Sequence, residues 1–189
     1  MISSEPSILI FQRILPLLCQ DWQRVKPASA NNAPQGIERF HDDWLRIMDV
    51  NVNGVFWCSR AFGRHMIAAG RGVIVNLGSM SGNIANRPQP QTPYNVSKAA
   101  VHHLTKSMAA EWAQHGIRIN AVAPTYIETP MVQKVEANKT RIPLWLADTP
   151  MGRMGQPEEV ASAVLFLATD AASLMTGAIV NVDAGFTCW

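Results

Sequence analysis

The 189-residue sequence has little charge, few cysteines and no long apolar run. Charged residues make up 16% against 48% hydrophobic. That balance excludes a disordered polyelectrolyte and fits one compact domain with its own core. The formal net charge is +2, with Lys and Arg scattered, so no basic stripe offers itself to nucleic acid. Cys19, Cys58 and Cys188 form no CxxC pair and no Cys/His cluster, which excludes a metal site of that spacing. An odd, sparse set fits a reducing compartment, and the expected location is cytoplasmic. Ile8 to Phe11 and Ile14 to Leu18 are apolar, but Gln12, Arg13 and Pro16 interrupt them. The stretch is too short and broken for a membrane span. It also lacks the basic start and small-residue cleavage site of a signal peptide. No internal repeat or low-complexity tract is present.

What is present, from residue 42 onward, is an alternation of helix and strand patterns. Trp44, Ile47, Met48, Asn51, Val52, Val55 and Phe56 recur at helical spacing, predicting a long helix over 42–69 that ends before Gly70. Val73 to Leu77 is a short β-branched run closed by Gly78, the signature of a buried parallel strand. A loop rich in Ser, Gly, Asn and Pro leads to a second helix over 94–115, stopped by Gly116. A strand is expected over 117–122 before Pro124, then a looser helical stretch over 129–147 broken by Pro143. A helix over 157–168 with Pro and two Glu in its first turn follows, and a last strand over 178–182. This order implies an α/β fold with right-handed crossovers, a parallel sheet and helices on both faces. Ligands of such sheets bind beyond the carboxyl ends of the strands. Gly78-Ser79 and Pro124-Thr125 stand at such ends.

The pattern with the most chemistry is Tyr94-Asn95-Val96-Ser97-Lys98. On a helix, residues four apart share one face. An ammonium near a phenol favours the phenolate, so Lys98 is expected to lower the Tyr94 pKa and fit it for proton exchange. By itself such a pair is usually two surface neighbours. Its context adds Ser79, whose hydroxyl can hydrogen-bond a substrate oxygen as charge develops. It also adds Asn51, a poor helix former in the middle of a helix, placed to hold a water that leads to Lys98.

In this order Asn51, Gly78-Ser79, Tyr94 and Lys98 resemble the Asn, Ser, Tyr, Lys tetrad of the short-chain dehydrogenase/reductase family. The resemblance continues through Arg118 to Pro124, Gly152 to Glu159 and Thr176 to Gly185, and so covers about residues 42–189. Within the family, Gly78 to Gly82 and the ending Asp183 to Trp189 are most similar to polyol dehydrogenases of the galactitol or sorbitol type. The resemblance implies a Rossmann-like doubly wound sheet and an NAD- or NADP-dependent enzyme that interconverts a secondary alcohol and a ketone. Tyr94 would be the general acid/base. Lys98 would tune it and hold the nicotinamide ribose. Ser79 would orient the substrate oxygen, with Ser81 competing for that role, because the Ser79-to-Tyr94 spacing of 15 exceeds the commonest family value. After Pro124, Ile127 and Thr129 would meet the nicotinamide carboxamide, and Thr125 replaces the family's usual Gly. Asn86, Arg87 and Gln89 in the loop before Tyr94 are candidates for binding substrate hydroxyls, and Trp145 lies in the expected lid. His102, His103, Leu104, Met108 and Trp112 read as core or surface residues.

The family's front end is not visible. Residues 1–40 contain one glycine, Gly36, and so no Gly-rich turn to cradle a pyrophosphate. Asn31-Asn32-Ala33 resembles the family's Asn-Asn-Ala-Gly with Pro34 in place of Gly, which makes Asn32 a candidate cofactor contact. The expected organisation is a divergent segment over 1–40 and the catalytic part of an N-terminally truncated Rossmann-like domain over 41–189, with about four strands. The family's habits imply a homo-oligomer, a tetramer or dimer, built on the helices over 42–69 and 92–115. The alternative is a non-catalytic short chain that acts by association with other subunits.

Overall fold

The computed structural model describes residues 40–135 and 138–189. The chain begins with α1 (Phe40–Met48), passes through one π-helical turn, Asp49–Asn53, and continues as α2 (Gly54–Ala69). The unbroken helix expected over 42–69 is therefore corrected. Asp49, Asn51 and Asn53 have weak helix preference, and the Asn51 amide is held from outside by Ser97 of a later helix. A single widened turn at such a place is a common feature of functional helices. Gly70 takes φ 66° and caps α2 through Ile67 O. Gly116 takes φ 72°, and a Cβ on it would lie 2.3 Å from Gly70 O, so these two turns require glycine where their backbones touch.

β1 (Gly72–Leu77), α3 (Thr92–Trp112), β2 (Ile117–Pro124), α4 (Pro130–Lys134), α5 (Asn138–Ala147), α6 (Pro157–Ala168) and β3 (Ile179–Val182) follow. Pro143 does not break the lid region as expected. It lies inside α5, where its ring holds φ in the helical range while its missing N–H leaves one helical hydrogen bond unmade. The first lid helix instead ends where Val135 turns extended, φ −81°, ψ 109°. The sheet is parallel in the order β1-β2-β3. Val75 faces Asn120 across the first pair, and Val122 faces Val180 across the second. Among the described residues three strands are present, not four, and β1 has no strand on its outer side.

Alternation along the strands divides the core into two layers. Ile74, Ile117 and Ile119 point to one face and pack with Met66 of α2 and Leu104, Met108, Ala109 and Trp112 of α3. Val73, Val75 and Val122 point to the other and pack with Val160, Val164 and Leu167 of α6. Helices thus cover both faces, as a doubly wound sheet requires. Arg118 and Asn120 lie on the α6 side of β2. Arg118 donates to Leu167 O and Thr169 O, the last carbonyls of α6. Asn120 is fully buried. It donates to Met175 O at 2.8 Å and accepts from Ala178 N at 3.0 Å, tying the entry to β3 against β2. Among the described residues, no helix is long and apolar enough to cross a membrane, and no cluster of His, Cys, Asp and Glu could hold a metal.

Candidate active site

The β1 ladder runs one step past the strand, with Gly78 N donating to Val122 O at 2.8 Å. Ser79 then turns away, extended, and its Oγ accepts from Ser81 N at 3.1 Å. That bond uses an acceptor site of the hydroxyl and leaves its proton free to be given. Ser79 also hydrogen-bonds the Tyr94 side chain, whereas Ser81 Oγ is engaged by Gln91 Nε2 at 3.3 Å. Of the two serines, Ser79 is therefore the one joined to Tyr94. His102 braces this turn from behind. Its Nε2 accepts from Ser79 N at 3.4 Å. Gly78 and Gly82 come so close that a Cβ on either would lie 2.5 Å or 2.6 Å from the ring. Burial pushes the His102 pKa down, and Lys98 and Lys106 push it further, so the ring is neutral and Nε2 can accept. The sequence reading placed His102 among structural or surface residues; it is buried and touches the site.

Tyr94 and Lys98 lie one turn apart at the start of α3. Lys98 Nζ is 5.6 Å from the Tyr94 ring centroid and donates to Leu77 O at 3.0 Å. Burial lowers the Lys98 pKa to about 8. The Tyr94 pKa is raised, chiefly by burial, with the Ser79 hydrogen bond opposing and Tyr126 reinforcing. This reverses the expectation that Lys98 lowers it. Withdrawal from water penalises the phenolate, and the ammonium lies over the ring and is turned toward Leu77 O. Asn51 Nδ2 donates to Ser97 Oγ at 2.9 Å, and Ser97 Oγ donates to Tyr94 O at 2.7 Å. Asn51 is thus bound to the first turn of α3 beside Lys98, through Ser97 rather than Lys98 itself.

The carboxyl end of β2 carries the residues suited to a carboxamide. Thr125 N donates to Val182 O at 3.2 Å, while Thr125 Oγ1 is buried without a hydrogen-bond partner among the described residues. A buried hydroxyl in that condition calls for a ligand or water. Ile127 pairs with Gly155 through its neighbours, Gly155 N to Tyr126 O and Glu128 N to Gly155 O. Its own N–H and C=O therefore face the opposite side, one donor and one acceptor together. Thr129 Oγ1 accepts from Val132 N to cap α4, leaving its proton to donate. Pro124 ends the strand without an N–H. These groups fit a nicotinamide carboxamide. Asn32 lies outside the described residues.

The opposite wall was not legible as a unit. Tyr126 stacks on Trp145, centroids 3.9 Å apart and planes 6° apart, and meets Phe186 edge-on. Its hydroxyl accepts from Asn86 Nδ2 at 3.1 Å and Gln89 Nε2 at 3.0 Å. Trp145 Nε1 donates to Gln89 Oε1 at 3.1 Å. Arg87 closes the loop onto Asp148 by a two-pronged ion pair at 3.2 Å. Asn86 Oδ1 is buried and has no partner among the described residues.

The family model described as Enoyl-(Acyl carrier protein) reductase matches residues 28–187. The chain is 85% identical over 147 residues to galactitol 2-dehydrogenase of Rhizobium johnstonii, covering 78% of this chain and 57% of that one. It is 52% identical over 174 residues to the L-tagatose-forming galactitol 2-dehydrogenase of Cereibacter sphaeroides, covering 88% and 68%. A solved protein of Agrobacterium tumefaciens, assigned as a 2-deoxy-D-gluconate 3-dehydrogenase and holding bound NADP, superposes with a TM-score of 0.73. It is 34% identical, over 87% of this chain and 63% of that one. The chain thus spans between about half and two thirds of the length of these relatives. With a parallel sheet covered on both faces and a match over most of its residues, the chain belongs to the short-chain dehydrogenase/reductase family.

Proposed function

We propose that the chain carries the site of an NAD- or NADP-dependent oxidoreductase that interconverts a secondary alcohol of a polyol or sugar alcohol with its ketone. The observation that carries this reading is the convergence of Ser79 and Tyr94, hydrogen-bonded to each other, with the half-buried Lys98 one turn away. The relatives that are galactitol 2-dehydrogenases support the substrate class, and the NADP-bound relative supports the cofactor. The bound nicotinamide supplies the hydride exchange. The rest falls to this chain. Tyr94 gives its phenolic proton to the substrate oxygen in reduction and takes it back in oxidation. Ser79 turns its hydroxyl proton from Tyr94 to the same oxygen as charge grows there. Lys98, with a pKa near 8, takes and returns protons close to physiological pH and replenishes Tyr94. Asn51 positions the first turn of α3 through Ser97. Thr125, Ile127 and Thr129 hold the carboxamide beyond Pro124, and Ser81 and Asn86 line the substrate side. Asn32 belongs to the proposed cofactor contacts on the resemblance alone.

The test is turnover of galactitol and sorbitol with each nicotinamide, followed by absorbance, in wild type and Tyr94→Phe. The expected loss in the variant is about 10²–10⁴-fold, the usual contribution of a positioned acid/base. Equal rates in both proteins would overturn the assignment. We also propose a cytoplasmic homo-oligomer, tetramer or dimer, joined through α2 and α3; exposed Trp57 on α2 supports such a contact. Among the described residues no strand pairs with the outer edge of β1, and this favours one second reading. A bare strand edge invites association, and a chain that acts only through other subunits would bind neither nicotinamide by itself.

A further inference from the structure

His102 exposes only 6% of its surface, and one of its nitrogens is used by nothing in the Ser79–Tyr94–Lys98 group. Its Nε2 accepts from Ser79 N. The ring is neutral, so its single proton stands on Nδ1. Among the described residues no acceptor takes that Nδ1–H, and a buried donor calls for a partner. The ring lines a cavity of about 330 Å³ bounded by the turn Met80–Gly82, α3 and β3. Gly82 lines the cavity at the same edge of the ring, since a Cβ on it would lie 2.6 Å from His102 Cε1 and 2.8 Å from Nδ1.

The rest of the lining is rich in donors and carries positive charge. Lys106 and His103 come from α3, Asn83 from beside the turn and Asn181 from β3, and no Asp or Glu is among the lining residues. Lys106 stands near enough to act on the charge of His102. Neither Lys106 nor His103 has an ion pair among the described residues. Asn83 Nδ2 donates to Asn181 Oδ1 at 3.1 Å, and Asn181 Nδ2 donates to Thr187 Oγ1 at 2.9 Å. These bonds tie the turn to β3 and leave each amide a second N–H.

We propose that this cavity binds a phosphate group, either the free ion or the end of a small monoester. An ammonium and N–H donors from three elements suit an oxyanion, and Lys is a regular phosphate partner. A metal cation would find no carboxylate here, and an apolar ligand would leave the Nδ1–H stranded. Cavities that hold small molecules run from about 300 to 1,000 Å³. This one is at the lower bound, which suits a phosphate with a few carbons rather than a whole nucleotide. An anion on Nδ1–H polarises the ring whose Nε2 holds Ser79 N, so occupancy is felt at the Ser79 turn. None of the lining residues is among those assigned above to the nicotinamide or the alcohol, so the site goes beyond the proposed reaction and does not depend on it.

The experiment is an NMR titration of the isotope-labelled chain with inorganic phosphate, with glycerol 3-phosphate and with succinate as a carboxylate, at ionic strength fixed with KCl. Saturable shifts are expected at the amides of Ser79, Gly82 and Asn83 and at His102 Nδ1. Lys106 is exposed, so Lys106→Met should fold, and a thermal melt checks that. The variant should weaken phosphate binding about 10-fold, the worth of one hydrogen bond to a charged group. Lys134→Met, which removes a cation outside the cavity, should leave binding unchanged. Tighter binding of glycerol 3-phosphate than of phosphate upholds the site and assigns a monoester; equal or weaker binding upholds it and assigns the free ion. The site is overturned by the absence of saturable shifts with both phosphate compounds, by binding indifferent to Lys106→Met, or by succinate binding as tightly as phosphate.

Discussion

Replacing Asn120 by Ala removes two hydrogen bonds that no solvent can restore in place. Asn120 is fully buried in β2, donating to Met175 O and accepting from Ala178 N. An unsatisfied buried backbone group costs about 1–3 kcal/mol, so losing both gives about 2–6 kcal/mol of destabilisation. Domains of this kind have about 5–15 kcal/mol in all, so the variant approaches the unfolding threshold. With a urea slope of about 2 kcal/mol/M, the unfolding midpoint should fall by about 1–3 M. Urea titration followed by far-UV circular dichroism measures this directly. The entry to β3 should loosen first, because Ala178 N is the group released, and amide exchange at Ala178 reads that. A midpoint shift below about 0.3 M, with the slope unchanged, would refute the reasoning, since it would mean that the two backbone groups find other partners at no cost.

Three further outcomes follow from the same geometry. Lys98 should titrate near 8 rather than 10.5, which a Lys98→Met difference in the NMR of methylated lysines reads. Between those values the unfolded chain holds a proton that the folded chain has released, so stability should rise with pH across that window, and the rise should shrink in the variant. Gly78→Ala sets a Cβ at 2.5 Å from His102 Nε2 and 3.1 Å from Val122 O. The expected cost is about 1–3 kcal/mol, and a melting temperature equal to wild type would refute the fit. Ser97→Ala removes the acceptor of Asn51 and should destabilise by about 1 kcal/mol. In the proposed reaction it should lower kcat more than it changes KM, and unchanged kinetics would show that Asn51 is not positioned through Ser97.

The strands and the helix that carries Tyr94 and Lys98 were legible because their signals are local. Val73 to Leu77 is β-branched and closed by Gly78, and the structure has its strand over Gly72–Leu77. Tyr94 and Lys98 share a face by spacing alone, and the structure sets them one turn apart. Arg118 and Asn120 stood in a motif whose reason was hidden until β2 was seen to present both side chains to the backbone of the α6 and β3 connections. The π turn at Asn51 was not legible, because its partner Ser97 is 46 residues away in sequence. The direction of the Tyr94 shift was missed for a different reason. Spacing gives the neighbouring charge but not the burial, and here burial dominates. Asn86, Gln89 and Trp145 were each visible as polar or aromatic residues near a mouth. Tyr126, which joins them, gave no sign, since four separate segments must fold together before its ring meets Trp145 and Phe186.

The central claim is that Lys98, Thr125 and their neighbours complete a nicotinamide site in this chain. The most direct measurement is titration of the purified protein with NADH and NADPH, following nicotinamide fluorescence, with Lys98→Ala and Thr125→Val alongside. The account predicts saturable binding of at least one nucleotide and weaker binding in both variants, because each removes a group proposed to hold the carboxamide or ribose. Absence of binding to either nucleotide, or binding indifferent to both substitutions, would contradict it.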